Sequence, residues 1–284
     1  MPDDEPLPAP GTVWYLPIFH VTQLSKDKIR LVFDAAARYQ QISLNAVLLQ
    51  EPDLNNEMRG VLLRFREKPI AFSSDVEAMF NNFSVPKTER NFLRFFWYRG
   101  NNPAFEMVAY RSCSHLFGFK SSPAVAIFGL KLCAEKPLSP DFDAAKGLIR
   151  NSFYMDDVLY SVDTPGGAID IIRITTLVGA HNIKLHKIVC NSPEVMLAFP
   201  ESECAVDISS LSLAESSDQR ALGVTWDIIS DSFGINIVPP DRDFTKRGVV
   251  SVNNTEFDPF GLVAPTILSG RLLQSELIPQ KKSE

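Results

Sequence analysis

The sequence lacks the long apolar runs that mark membrane-spanning proteins. A transmembrane helix needs about 18 or more consecutive apolar residues, whereas the longest apolar candidate, Pro123–Leu130, has the length of a buried core segment. The first residues, Met1-Pro-Asp-Asp-Glu-Pro, are acidic and proline-rich and have neither the basic nor the apolar region of a secretory signal. We therefore expect an intracellular protein without a membrane segment.

Residues that bind zinc or form disulfides are also few. The chain has four cysteines without a CxxC spacing, and its four histidines form no HExxH pattern. Reduced cysteines and no zinc site are the simplest prediction. We expect His181 and His186 to be surface or packing residues rather than ligands. The sequence contains no internal repeat and no low-complexity segment.

An excess of positive charge is absent as well. The formal net charge is −6 and the isoelectric point is near 5.4, which argues against a protein that binds nucleic acid through its overall charge. The basic residues are nevertheless clustered in the first third of the chain, around positions 26–30, 59–68 and 87–99. This distribution is compatible with a nucleic-acid channel, and it is equally compatible with ordinary solvated surfaces.

The composition is that of a globular protein. The chain has 284 residues, of which 45% are hydrophobic and 22% are charged, enough for one large or two ordinary domains. Apolar runs and period-2 alternation predict strands over 12–23, 28–34, 69–75, 92–98, 104–112 and 182–191, and a hairpin of 220–227 with 232–238. Apolar residues three and four apart predict helices over 54–67, 124–134, 141–151 and 168–180, and helical segments from Arg247 that are interrupted at Pro259 and Pro265.

Two connections carry local signals. Ser122 is predicted to cap a helix whose first position is Pro123, since serine is favoured at the N-cap and proline at the first helical position. Residues 163–167, with the sequence Asp-Thr-Pro-Gly-Gly, are predicted to form a turn.

The stretch 151–160 places Asp156 and Asp157 between apolar and aromatic segments that are typical of strands. A tight turn between two short strands would expose both carboxylates at its tip, where they could hold divalent cations, because Mg²⁺ prefers carboxylate oxygens. Aspartate is also a common turn residue, so the tetrapeptide Tyr154-Met-Asp-Asp157 alone is equally explained by an ordinary hairpin.

A third carboxylate, Asp75, ends a predicted buried strand about 80 residues earlier. One aspartate on a strand and two on a neighbouring hairpin can hold two Mg²⁺ ions ~4 Å apart, a pair that activates a hydroxyl and clamps a transferring phosphoryl group. Phe80 follows five residues after Asp75. Its ring could exclude a ribose 2′-hydroxyl, or it could be a plain core aromatic.

In this order, four blocks resemble the reverse transcriptases of retroelements: Asp75–Phe80, Phe117–Pro123, Tyr154–Asp157 and Ala221–Gly223. The finer resemblance is to the BEL/Pao class of LTR retrotransposons and covers roughly residues 14–275. The segments that carry it are 28–36, 43–45, 60–66, 92–97, 110–111, 117–118, 220–227 and 257–262. Each block is short, and their combination is specific.

The resemblance implies an α+β fold of the right-hand polymerase type, with fingers, a palm built on an antiparallel sheet and a partial thumb. It divides the chain into fingers (1–69 and 84–120), palm (70–83 and 121–227, with the metal hairpin and primer grip) and a partial thumb or connection (228–284).

The resemblance also implies the site. The metal-binding catalytic residues would be Asp75, Asp156 and Asp157, with two Mg²⁺ ions that Mn²⁺ could replace. Nucleotide-binding residues would be Lys28, Arg30, Phe80 (as a steric gate), Phe117, Gly118 and Lys187, the last of which would help to protonate pyrophosphate. Residues that contact primer or template would be Tyr154, Met155, Ser122, Pro123, Leu222 and Gly223. The implied partners are an RNA or DNA template-primer and dNTPs, in cytoplasmic virus-like particles or in the nucleus.

Some positions depart from the family pattern. Phe117 stands where many retroviral enzymes have glutamine, although the Phe-Gly form is common in the BEL/Pao class. Ile188 replaces a frequent tryptophan, and the segment 252–256 is more polar than expected. Protease, RNase H and integrase modules have no counterpart, so we expect a fragment or a degenerate copy. The sequence thus leaves two functions open: an RNA- and DNA-directed DNA polymerase, or a catalytically silent relic that binds nucleic acid or another protein.

Overall fold

The computed structural model describes residues 11–23, 28–50, 52–135, 143–177, 183–205, 218–235, 240–243, 245–255 and 257–277. The acidic, proline-rich first residues, 1–10, and His181 lie outside these ranges. Contacts divide the chain into two compact units. The first unit comprises Met1–Asn55, Val76–Arg150 and Ile174–Lys184, and the second comprises Asn56–Asp75, Asn151–Arg173 and Leu185–Glu284. No helix in the described ranges is both long and apolar enough to cross a membrane.

Helices and strands are interspersed along the described residues. The strands are β1 (Ile18–Gln23), β2 (Lys28–Phe33), β3 (Ile70–Val76), β4 (Arg94–Tyr98), β5 (Met107–Arg111), β6 (Phe153–Tyr154), β7 (Asp157–Val162), β8 (Leu185–Cys190), β9 (Asp218–Ala221), β10 (Val224–Asp227) and β11 (Ser232–Gly234). The helices are α1 (Leu44–Val47), α2 (Met58–Phe65), α3 (Ser122–Glu135), α4 (Asp143–Asn151), α5 (Pro165–Leu177), α6 (Pro193–Leu197), α7 (Lys246–Asn253) and α8 (Ala264–Leu277).

The first unit contains two antiparallel hairpins, β1–β2 and β4–β5. A core of seven buried apolar residues joins segments that are far apart in sequence: Leu16, Ala35, Leu44, Val85, Leu93, Leu116 and Phe119. Helix α3 buries one side, including Ala126, Ile127 and Leu130, as expected for a helix that packs on a core. The strands predicted over 92–98 and 104–112 contain β4 and β5, which pair in a ladder from Arg94–Arg111 to Tyr98–Met107.

The second unit is built on a four-stranded sheet of order β6-β7-β3-β8 and a three-stranded sheet of order β11-β10-β9. Helix α2 contributes Val61, Leu62 and Phe65 to a core that also contains Trp226. The Phe65 and Trp226 rings meet edge to face at 4.8 Å between their centroids. Both side chains are fully buried, so aromatic and aliphatic burial holds the helix to the sheets.

The structure corrects the predicted hairpin of 220–227 with 232–238, of which residues 236–238 lie outside the described residues. The segment 220–227 is not one strand, because Leu222 and Gly223 form a tight turn between β9 and β10, in which Ala221 pairs with Val224. Alternating side chains continue through this turn, and the Leu-Gly pair gives a weaker turn signal than Asn-Gly would. Strand β11 then adds to β10, which gives three strands in place of two.

Three helix boundaries are also corrected. Helix α3 includes Ser122, since the Val125 N–H donates to the Ser121 carbonyl and the Ser122 hydroxyl donates to the Leu116 carbonyl, so Ser122 is not the N-cap. The predicted turn at 163–167 is the start of α5, where the Gly167 N–H donates to the Thr164 hydroxyl. Pro265 does not interrupt a helix, because it occupies the second position of α8, where its missing N–H has no partner to lose.

Candidate active site

A two-residue loop closes the β6–β7 hairpin that carries the adjacent aspartates. Tyr154 pairs with Asp157, and Met155 and Asp156 form the turn between them. Met155 has φ of 55°, in the left-handed region that a long side chain rarely adopts. Such turns usually have glycine or asparagine at this position. The strained backbone fixes the direction in which the two carboxylates leave the hairpin, and strain of this kind is concentrated at functional sites.

Asp75 lies on the strand next to this hairpin. Strand β3 pairs with β7 in antiparallel register, and Asp75 is directly opposite Asp157. Directly opposed residues of an antiparallel pair place their side chains on the same face. The neighbours of Asp75, Ser74 and Val76, are buried on the other side of the strand. The sheet therefore brings Asp75 beside the hairpin that carries Asp156 and Asp157.

Strand β8 borders β3 on the other side and holds Asp75 through two consecutive residues. The Lys187 ammonium forms an ion pair with the Asp75 carboxylate, and the His186 ring nitrogen Nδ1 lies 3.1 Å from the Asp75 backbone oxygen. His186 was expected to be a surface or packing residue, and it is half-buried against β3. No sequence pattern indicated that its partner is Asp75. Lys187 therefore belongs to the same cluster of charged side chains as the three carboxylates.

Crowding of negative charge changes the acidity of the site. Burial, with the neighbouring Asp156 and Asp75 charges and a hydrogen bond to Asp75, raises the pKa of Asp157 to about 7, and the Lys187 charge partly opposes this. The expectation that both hairpin carboxylates are exposed holds only for Asp156, because Asp157 is half-buried. A partly desolvated acid beside two other acids favours the protonated form until a cation neutralises the group.

The three carboxylates fit a magnesium site by chemistry, although they are not arranged as a ready-made one. Among the described residues, no three His, Cys, Asp or Glu side chains are placed so that they could hold a metal ion. The donor set is nevertheless the hard carboxylate oxygen that Mg²⁺ selects. Burial first, and then the neighbouring Asp156 and Asp75 charges, raise the pKa of Asp157, and a divalent cation would relieve the repulsion among these charges.

The first unit contains the predicted nucleotide-binding aromatic residues. Phe80 is buried, and its ring meets the Phe117 ring edge to face at 4.5 Å between centroids. Phe117 itself is 63% exposed. Gly118 follows with φ of 95°, and a Cβ on it would lie 3.3 Å from the Phe33 backbone oxygen. The loop therefore requires glycine at this position, and it presents the Phe117 ring to solvent.

Asn45 holds this loop in place and was not singled out as a site residue from the sequence. Its side-chain nitrogen donates to the Gly118 carbonyl at 2.8 Å, and its side-chain oxygen accepts from the Lys120 N–H at 3.0 Å. Ser122 is buried and its hydroxyl is occupied by the Leu116 carbonyl, while Pro123 is half-buried in the first turn of α3. The Asn45 contact joins segments 73 positions apart, which local sequence patterns do not reveal.

The remaining predicted residues lie on two other hairpins. Lys28 and Arg30 are on β2 of the first unit, where Arg30 is exposed opposite Val21 and the side chain of Lys28 lies outside the described part. Leu222 and Gly223 form the β9–β10 turn of the second unit, with φ of 49° and 88°. A Cβ on Gly223 would lie 2.8 Å from the Phe257 ring, so this turn packs closely under the 257–262 segment.

Solved structures of known proteins share this architecture. The foamy viral protease-reverse transcriptase dRH in complex with double-stranded DNA matches 92% of this chain with 15% identity and a TM-score of 0.59. The foamy viral protease-reverse transcriptase in complex with an RNA/DNA hybrid matches 93% with 15% identity and a TM-score of 0.52. The chain has a retroviral-type reverse transcriptase fold. The predicted mixture of helices and antiparallel sheets is confirmed by this reverse transcriptase fold.

The likeness extends over only part of those proteins. This chain spans 39% and 30% of the length of the two foamy viral chains. The sequence matches no family model and no curated protein. At 15% identity the reverse transcriptase fold is shared without showing shared activity, so the BEL/Pao class and the roles of individual residues stay predictions.

Proposed function

We propose that this chain is a reverse transcriptase module that extends a primer 3′-hydroxyl with dNTPs on an RNA or DNA template. The observation that carries the proposal is the direct cross-strand pairing of Asp75 with Asp157, next to Asp156, within a reverse transcriptase fold. Three carboxylates on one sheet face destabilise the metal-free protein through their like charges, and nucleotidyl transfer is a chemistry that requires them.

Within this function, Asp75, Asp156 and Asp157 would hold two Mg²⁺ ions, which Mn²⁺ could replace. Bound there, the ions would supply charge stabilisation for the attacking 3′-hydroxyl and for the leaving pyrophosphate. Lys187 Nζ would carry the proton that the pyrophosphate takes up. The chain itself would orient the reactants, because the strained Met155 turn and the paired strands fix the carboxylates before substrate arrives.

The proposed substrate contacts come from the other predicted residues. Lys28 and Arg30 would bind the triphosphate, for which a guanidinium suits two phosphate oxygens. Phe80 would exclude the ribose 2′-hydroxyl, and its edge-to-face contact with Phe117 supports this by restricting the Phe80 ring. Phe117 and Gly118 would also contact the nucleotide. Primer or template contacts are proposed for a further set: Tyr154, Met155, Ser122, Pro123, Leu222 and Gly223.

The proposed domain assignment follows the polymerase fold. Residues 1–69 and 84–120 would be fingers, 70–83 and 121–227 the palm, and 228–284 a partial thumb. All four strands of the sheet that carries the three carboxylates fall within the proposed palm. We further propose a BEL/Pao-type LTR retrotransposon as the origin, with protease, RNase H and integrase as companion modules and with virus-like particles or the nucleus as the location.

Primer extension tests the proposed function. The chain is incubated with poly(rA)/oligo(dT), dTTP and Mg²⁺ or Mn²⁺, beside a variant that carries Asp156→Asn and Asp157→Asn. We expect extension by the unmodified chain and none by the variant, because the substitutions remove two of the three anionic ligands. Equal extension by both proteins would refute the polymerase. Salt-dependent binding of the duplex without extension would identify the alternative, a silent polymerase-like fold that binds nucleic acid.

A further inference from the structure

Two neighbouring residues of β8 hold Asp75 in different ways. His186 contacts its backbone oxygen, and Lys187 pairs with its carboxylate. Lys187 reaches this position because its backbone has φ of 54° in the middle of the strand. The alternation of inward and outward side chains breaks there, since Ile188, Val189 and Cys190 are all buried after the exposed Lys187. A local irregularity of this kind re-aims a side chain.

The Lys187–Asp75 ion pair partly balances the negative charge around Asp75. The hairpin and β3 bring together three carboxylates, and Lys187 is the cation that forms an ion pair with them among the described residues. Its counterpart three residues earlier, Lys184, pairs instead with Glu77 at 3.6 Å. One positive charge thus partly offsets a group of negative charges that would otherwise repel one another across adjacent strands.

The same carboxylate oxygen is needed by the proposed metal. An Asp75 oxygen that is occupied by the Lys187 ammonium is less available to a divalent ion, because both are cations competing for one acceptor. The absence of a ready-made metal site among the described residues agrees with this competition. The Lys187 side chain is 57% exposed, against 27% for Asp75, so Lys187 can leave into solvent while Asp75 stays in the sheet.

We propose, on the basis of the metal-binding role proposed above, that Lys187 is an exchangeable internal counter-ion that stabilises the metal-free site and is displaced from Asp75 when a divalent cation binds. Metal affinity in this protein then includes the free energy of breaking the Lys187–Asp75 ion pair. The exchange also makes the ammonium free at the moment when the ion arrives, so an unpaired Lys187 becomes available beside the loaded site. His186 keeps the Asp75 backbone in register throughout, because its contact involves the backbone oxygen.

Metal binding in the absence of nucleic acid and dNTP tests this exchange. Mn²⁺ is the probe, and free Mn²⁺ is measured by electron paramagnetic resonance with the full chain and with Lys187→Met, Lys187→Gln and Lys187→Arg. Lys184→Met is the matched control. It removes a nearby lysine that forms its ion pair with Glu77 and not with Asp75. Thermal unfolding of each protein is recorded without metal and with saturating Mn²⁺.

We expect Lys187→Met and Lys187→Gln to bind Mn²⁺ about three- to tenfold more tightly than the unmodified chain, since one unit charge near the ion is removed. Their metal-free unfolding temperatures should fall, and the rise on adding Mn²⁺ should be larger. Lys187→Arg keeps the charge and should stay close to the unmodified chain, as should Lys184→Met in Mn²⁺ affinity. Equal or weaker Mn²⁺ binding by both uncharged variants, or no Mn²⁺ binding by any of the proteins, would overturn the proposal.

The experiments can refute the counter-ion proposal and the polymerase proposal independently of each other. Tighter Mn²⁺ binding by Lys187→Met together with no primer extension by the unmodified chain would retain the counter-ion and refute the polymerase. Primer extension by the unmodified chain together with unchanged Mn²⁺ affinity in the Lys187 variants would do the opposite.

Discussion

Asp75 on β3 and Asp157 on β7 face each other directly across an antiparallel pair of strands. Like charges in this arrangement oppose sheet formation, yet the strands around them are held by fully buried residues such as Phe72 and Val158. The apolar sheet therefore carries two opposed carboxylates whose repulsion lowers its stability. This is the pattern expected where a protein keeps a chemical site at some expense of stability.

The first prediction concerns pH and the metal-free protein. The pKa of Asp157 is raised from 3.8 to about 7 on folding, so the folded state binds more protons than the unfolded state between these values. The stability that this proton contributes is fully present below the unfolded pKa and is lost as the pH rises through about 7. Urea unfolding in EDTA should therefore show stability falling as the pH is raised across this interval.

Two variants isolate the contribution of this carboxyl. Asp157→Asn should weaken the fall in stability across the interval and should be more stable than the unmodified chain at about pH 8, because the charged form is then absent. Asp170→Asn, which removes an exposed carboxylate from α5, should keep the original pH dependence. An Asp157→Asn protein with an unaltered pH dependence would contradict the raised pKa.

The second prediction concerns the choice of sugar and rests on the proposed polymerase. Phe80→Val replaces the ring that would exclude the 2′-hydroxyl with a smaller side chain. The ratio of ribonucleotide to deoxyribonucleotide incorporation should therefore rise about tenfold or more. Phe117→Leu alters the exposed partner of the same ring pair and should change the ratio much less. Single-nucleotide extension with paired rNTP and dNTP measures it, and the ratio is insensitive to any loss of folded protein from emptying a buried position. An unchanged ratio would show that Phe80 is only a core residue.

The third prediction compares two ion pairs of the second unit. Asp231 accepts from Arg66 at 2.5 and 2.7 Å and from the Trp226 indole at 3.1 Å, with both charged side chains less than a third exposed. Asp231→Asn should lower the free energy of unfolding by about 1–3 kcal/mol, because charge-assisted hydrogen bonds are weakened. Asparagine tolerates the positive φ of residue 231, so the backbone is preserved.

The matched control for this pair is Asp163→Asn. Its partner Lys68 lies 3.0 Å away, but the Asp163 side chain is 72% exposed, so solvent screens the pair and its loss should change stability little. Urea denaturation of both variants decides the comparison. Equal losses from the two substitutions would contradict a stabilising role for the Arg66–Asp231–Trp226 network.

The fourth prediction concerns Gly223. Alanine there would adopt φ of 88° and place its Cβ 2.8 Å from the Phe257 ring, so Gly223→Ala should destabilise the protein by about 1–2 kcal/mol. Gly166→Ala is the control, because Gly166 lies in the first turn of α5 with open space around its Cβ position. It should be neutral or stabilise by up to about 1 kcal/mol. Thermal unfolding of the two variants should show opposite or clearly unequal shifts.

Local patterns predicted most of the elements that carry the site. The apolar run before Asp75 and the aromatic residues around Asp156 gave β3 and the β6–β7 hairpin, since burial on a sheet requires such residues. Local patterns could not predict three contacts, because each joins segments far apart in sequence. These are the pairing of Asp75 with Asp157, the contact of His186 with Asp75 and the hydrogen bond of Asn45 to Gly118. Turns without glycine at their strained position, such as Met155, carry no signal in the turn rules either.

Strand β3 lies inside the sheet, yet its neighbours β7 and β8 are synthesised much later. Asp75 and Lys187 are 112 positions apart. At ~5–20 residues per second, a ribosome needs several seconds or more to deliver β8 after β3 has emerged. During that interval Ala71 and Phe72, which end fully buried, have no strand to pair with. The nascent chain thus passes through a stage in which strand β3 is an unpaired apolar edge, and slow translation between residues 76 and 185 would prolong its exposure to aggregation.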